Sequence, residues 1–250
     1  MSGSLDGRRI AITGASSGIG EATALAMASE GASVALGARR GDRLEELRER
    51  IESDGGRAVA LRADVANEAS AHEFVTGAAE ALGGLDGLVN NAGVMLLGPI
   101  EGADTEHWRR MVEVNVLGLL YSTQAALPLL REGGGGDVVN VSSVAGRVAN
   151  AGSAVYNATK WGVVALSEAL RKELTGSGIR ITCVEPGFVE TELQGHNEHP
   201  MVREAIERMR NEIGQVLTAG DIAEAIVYAV SQPPRVSINE LLVRPTGQAR

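Results

Sequence analysis

The chain has 250 residues, 44% of them hydrophobic, and a formal net charge of −9. That length suits one α/β domain with a substantial core, and an acidic chain with no basic run longer than Arg39-Arg40 is a poor general binder of nucleic acid. The single Cys183 excludes an internal disulfide, and no apolar run approaches the ~18 residues of a membrane helix, so a cytoplasmic protein is expected.

Short apolar runs alternate with amphipathic stretches. RRIAIT (8–13), ASVALG (32–37), AVALRA (58–63), LDGLVN (85–90), DVVNVS (137–142), RITCVE (180–185) and INELLV (238–243) read as strands. Their continuous apolar character suits strands covered on both faces, as in a parallel sheet. Helical patterns lie between them: 18–31 ends on a glycine, RLEELRERIESDGG carries charge pairs at helical spacing, and 106–130 reads as one long helix. Seven strands with helical crossovers predict a single-domain α/β fold with a doubly wound, seven-stranded parallel sheet. A helical insertion at about 188–215 breaks the alternation where open α/β sheets place ligands.

Glycines, 32 of them, occur at almost twice the ordinary share of roughly 7%, and many fall at strand-to-helix joints. The turn ITGASSGIGEA (12–22) carries three, Gly14, Gly18 and Gly20, between the first strand and the first helix. Gly14 allows a tight turn, Gly18 a close backbone approach to a pyrophosphate, and Gly20 close packing of helix on strand. Ser16, Ser17 and Ile19 share that turn. The second strand ends in Gly37-Ala38-Arg39-Arg40, with no carboxylate before Asp42. A carboxylate there would favour NAD, whereas an arginine accommodates a 2′-phosphate. The expected cofactor is therefore NADP(H), with Arg39 as the main phosphate partner and Arg40 beside it.

Tyr156 and Lys160 stand four apart on a predicted helix, hence on one face, a spacing that alone does not separate a reaction centre from two surface side chains. TGASSGIG (13–20), NNAG (90–93), Asn115, Ser142-Ser143, YNATK (156–160) and PGFVET (186–191), in this order, resemble the short-chain dehydrogenase/reductase pattern. The resemblance covers nearly the whole chain. It implies a Rossmann-type fold and a catalytic set of Asn115, Ser143, Tyr156 and Lys160. It also implies cofactor contacts at Asp64, Val65, Asn91, Ala92, Gly93, Pro186, Gly187, Val189 and Thr191, in addition to the glycine-rich turn, Tyr156 and Lys160. By the same resemblance Lys160 holds the nicotinamide ribose and Asn115 a water linking Lys160 to solvent. NNAGVMLLGPIEG, AGRVANAGSAVYNATKWGV and the tail INELLVRPTGQ are most similar to the clavulanic acid dehydrogenase and NADP-dependent 3-hydroxy acid dehydrogenase branch.

The implied reaction interconverts an alcohol and a carbonyl on a small, moderately polar molecule. A cation one turn from Tyr156, with the positive charge of an oxidised nicotinamide, is expected to lower the phenol's pKa from about 10. Substrate-lining candidates are Ser143, Val144, Val148, Asn150, Tyr156, Leu193 and Met201. Arg147 or Arg203 offers a pairing site for a substrate carboxylate, although each is more often structural. His196 and His199 lack a nearby third ligand, so no metal is expected. A ketoreductase for carrier-bound substrates and an NADP-sensing binding protein are the alternatives. Family assembly, a homotetramer or homodimer through helices near 104–131 and 153–176, is expected here too.

Overall fold

A computed structural model describes residues 3–197 and 199–249. Seven parallel strands form one sheet: β1 (Arg9–Thr13), β2 (Ser33–Ala38), β3 (Arg57–Arg62), β4 (Gly87–Asn90), β5 (Gly136–Val141), β6 (Ile179–Pro186) and β7 (Glu240–Val243). Their spatial order is β3-β2-β1-β4-β5-β6-β7. The chain leaves β1 toward β2 on one side and later returns to β4 on the other. That reversal opens a crevice at the carboxyl ends of β1 and β4, where a ligand can enter.

Period-two alternation splits the core between the two faces. Ile10, Ile12, Val34 and Leu36 pack with Met27 of α1 (Gly18–Ser29) and Ile222 and Ile226 of α8 (Ala219–Val230). Ala11, Ala35 and Leu88 face the other way, onto Phe74 of α3 (Glu68–Leu82) and Ala126 and Leu130 of α5 (Gly118–Glu132). Both faces are covered, which is why the strands read as unbroken apolar runs. α2 (Gly41–Ser53) and α6 (Ala154–Glu173) complete the layers.

The long helix expected over 106–130 is divided. α4 (Thr105–Val112) passes into a π-helical turn, Glu113–Leu117, before α5 begins. Asn115 lies in that turn, its Oδ1 accepting from the Val94 amide at 2.8 Å and its Nδ2 donating to the Val94 carbonyl at 2.9 Å. The extra residue in the turn re-aims this side chain at the loop after β4, as π-bulges at functional sites commonly do. The insertion consists of a 3-10 turn, Glu192–His196, and α7 (Pro200–Ile213).

Candidate active site

The crevice opens into a cavity of about 810 Å³. One end is the glycine-rich turn. Gly14 has φ +66°, a left-handed conformation, and a Cβ there would stand 2.8 Å from Ala92 Cα. At Gly20 a Cβ would meet the Gly14 carbonyl oxygen at 2.3 Å, so the first turn of α1 can sit on the loop only without a side chain. Ser17 at the N-cap makes no side-chain bond to the first-turn amides of α1, so those donors and the positive helix end remain for an anion. Gly14, Ser17, Gly18 and Ile19 all line the cavity, whereas Ser16 touches it through Arg40.

The two arginines differ. Arg40 donates to Ser16 Oγ at 3.1 Å and Ser17 Oγ at 2.7 Å, and pairs with Glu192 at 2.8 Å across the mouth of the cleft. Arg39 is exposed, lines the cavity and has no hydrogen bond or ion pair among the described residues. Asp64 and Val65 line the same end, Asp64 Oδ1 accepting from the Ala66 amide at 3.1 Å. Ala92 and Gly93 form the wall after β4. Asn91 also lines it, but its Nδ2 is spent on the carbonyls of Thr13 and Gly14, at 3.1 and 3.2 Å, and ties β4 to the turn. Pro186, Gly187, Val189 and Thr191 line the cavity too, Thr191 standing against the glycine-rich turn, where a Cβ on Gly18 would be 3.2 Å from the Thr191 Cβ. A glycine cradle, unspent helix amides and a free guanidinium fit the phosphates of a dinucleotide.

Tyr156, Ser143 and Lys160 meet on one wall. Ser143 caps a 3-10 turn after β5, its Oγ accepting from the Ala145 amide at 3.1 Å and keeping its own proton to donate. Both Tyr156 and Lys160 are buried, with Lys160 Nζ 5.9 Å from the phenol centroid and donating to the Val141 carbonyl at 3.0 Å. Burial pushes the Tyr156 phenol up to about 12, opposed by its hydrogen bond with Ser143. Burial also pulls Lys160 down to about 8, against the attraction of Cys183. In the chain alone the part of the expected lowering that rests on Lys160 is reversed: desolvation disfavours both charged forms and outweighs an ammonium that does not touch the phenol. The Ser142 hydroxyl instead donates to the Lys160 carbonyl at 3.0 Å, a structural role.

Other positions depart from the sequence reading. Val148 does not line the cavity; Asn157 Nδ2 holds its carbonyl, and that of Ala145, each at 2.7 Å. Asn157 thereby staples the serine loop to the tyrosine helix, a role that no local pattern announced. Arg147 grips the fully buried Glu185 with two bonds of 2.7 and 2.8 Å and also pairs with Glu240, so it is structural. Arg203 Nε donates to the Asn197 carbonyl at 2.8 Å and is not part of the wall. Val144, Asn150, Leu193 and Met201 do line it, joined by Leu97, Phe188, Ile206 and Met209. Among the described residues no group of three or more His, Cys, Asp or Glu could hold a metal, and no helix is long and apolar enough to cross a membrane.

A doubly wound sheet with a glycine-rich first turn and a Ser-Tyr-Lys wall defines a nicotinamide-dependent oxidoreductase acting on alcohol and carbonyl groups. The sequence profile described as short chain dehydrogenase matches residues 8–201, and the chain belongs to the short-chain dehydrogenase/reductase family. It is 42% identical over 247 residues to a glycine betaine reductase of Emericella nidulans, a match that covers 98% of this chain but 19% of that protein's length. The fold superposes on a serine dehydrogenase in complex with NADP+ with a TM-score of 0.89 and 33% identity, covering 96% of each chain. A 3-ketoacyl-(acyl-carrier-protein) reductase of Brucella melitensis in complex with NADH gives 0.84 and 32%, over 97% of this chain and 99% of that one.

Proposed function

We propose that the protein is an NADP(H)-dependent reductase that interconverts an aldehyde or ketone and its alcohol. The observation that carries this reading is the meeting of Ser143, Tyr156 and Lys160 on one wall of a cavity whose far end presents an unpartnered Arg39. When bound, the nicotinamide supplies the hydride. Ser143 donates to the substrate carbonyl oxygen and fixes its position. Tyr156, kept protonated by burial, gives its proton to that oxygen as negative charge develops. Lys160 holds the ribose and supports the phenolate left behind. Asn115 spends its amide on Val94 and Thr159, so it acts by fixing the loop after β4, with one Oδ1 lone pair left for a water near Lys160.

NADP preference rests on the end of β2, where Arg39 stands in place of a carboxylate. It is supported by the NADP+ of the serine dehydrogenase complex, although the Brucella reductase holds NADH. Arg39→Ala raises the NADPH dissociation constant, read by nucleotide fluorescence, by on the order of tenfold or more, the share of a charge-assisted hydrogen bond. NADH affinity changes less than about threefold. Equal losses for both nucleotides would contradict the assignment of Arg39 to a 2′-phosphate.

Assembly into two or four copies through α4–α5 and α6 belongs to the same reading. Val112 on α4 and Trp161 on α6 stay 41% and 49% exposed in the single chain, large apolar groups for a free surface. Sedimentation at micromolar concentration shows a dimer or tetramer, and Trp161→Glu shifts it toward monomer; a monomeric wild type would remove this part of the proposal.

A further inference from the structure

α7 buries none of its own residues. Its charges, including Glu204, Glu207 and Arg208, stand apart from the cavity, while Met201, Val202, Ala205, Ile206 and Met209 all line it. These five recur at steps of one, three and four, hence along one helical face. An amphipathic helix normally lays such a face on a core, but here Met201 remains 65% and Met209 44% exposed. The stripe lines the same cavity as Ser143 and Tyr156, together with Leu97, Val144 and Phe188.

Uncharged polar residues and histidines of the lining include Asn150, Ser153, Gln194, His196, His199 and Gln248. Burial and the positive charges of Arg110 and Arg39 hold the His196 imidazole below its ordinary range. Among the described residues, the charged residues of the lining are five. Arg39, Arg40 and Asp64 belong to the nucleotide end, Glu192 is paired with Arg40, and Lys160 is buried behind Tyr156. Arg203, Arg208 and Arg210 of α7 are engaged with Asn197, Glu204 and Glu190, and Arg147 with Glu185. A substrate carboxylate laid against this face would lose water and find no charged side chain among the α7 residues that line the cavity.

Building on the reductase reading above, we infer that the substrate is an uncharged carbonyl compound with an extended apolar body laid along the 201–209 stripe of α7. Small hydroxy acids and carboxylate-bearing aldehydes do not meet that description, which separates this site from the substrate of the serine dehydrogenase it resembles in fold. The unbranched, adaptable Met201 and Met209 suit a body of variable shape.

The test is kcat/KM with saturating NADPH for straight-chain aldehydes from butanal to decanal, beside ω-oxo acids of the same lengths. Each methylene buried on the stripe multiplies kcat/KM by up to about fourfold, equivalent to ~0.8 kcal/mol. The expected result is a rise of at least about thirtyfold across the aldehydes, with each long oxo acid at least about tenfold below its aldehyde. Ile206→Asp, and independently Met209→Glu at a more exposed position, flatten the rise. A flat series, or a preference for the oxo acids, would overturn the inference and leave the reductase reading standing. No turnover of any carbonyl, together with no NADPH-induced rise in melting temperature, would overturn both.

Discussion

Tyr156→Phe lowers turnover by at least about a hundredfold and leaves NADPH affinity within a few-fold of wild type. The phenol hydrogen-bonds with Ser143 on the cavity wall and stays protonated through the neutral range, since burial pushes it up to about 12. Loss of a positioned proton donor costs on the order of 10²–10⁴ in rate. Phenylalanine keeps the ring in its packing against Val65, Val94, Met111 and Val114, so the fold and the cofactor end are spared. Steady-state kinetics beside nucleotide titration separate the two effects. A variant whose turnover stays within a factor of a few would remove Tyr156 from the chemistry.

Lys160→Met abolishes turnover to a similar degree and makes the protein more stable. In the folded chain Lys160 titrates at about 8 instead of its ordinary 10.5. Below pH 8 both folded and unfolded states carry the charge, and folding must bury it, at a cost on the order of 3 kcal/mol for that displacement. Between 8 and 10.5 the unfolded chain binds more protons, so wild-type stability rises with pH and the penalty fades. Loss of the Nζ bond to the Val141 carbonyl returns about 1 kcal/mol. The variant therefore gains about 2 kcal/mol at pH 7, a gain that shrinks past pH 8, is gone near pH 10 and turns into a deficit of about 1 kcal/mol above about 10.5. Urea unfolding at pH 7 and pH 10 measures both. A less stable variant at pH 7 would show that Lys160 is a structural cation and not a group held against its solvation for function.

Much of the architecture was legible because its signals are local. Strands such as β1 and β5 are covered on both faces and so appear as unbroken apolar runs, and Gly14 and Gly20 stand where a side chain would strike backbone. The Tyr156–Lys160 spacing was legible only beside Ser143 and the glycine-rich turn, since a helical pair by itself has no preferred meaning. What escaped depends on contacts between distant segments. The π-helical turn at Glu113–Leu117 is one extra residue in an otherwise regular period, fixed by Asn115 bonding to Val94 some twenty residues earlier. Val148 looked apolar and near the serine, but Asn157 holds its carbonyl outside the cavity wall. The direction of the Tyr156 shift follows from burial, which spacing does not reveal. The insertion was recognised as helical, yet which of its faces met the cavity required the fold.

The central claim is most directly tested by following absorbance at the nicotinamide band as NADPH and NADH are consumed over a panel of aldehydes and ketones, with Tyr156→Phe alongside. Turnover with NADPH, markedly weaker turnover with NADH, and near-complete loss in the variant are the expected results. Equal use of both nucleotides would contradict the role given to Arg39, and undiminished turnover in the variant would contradict the site itself.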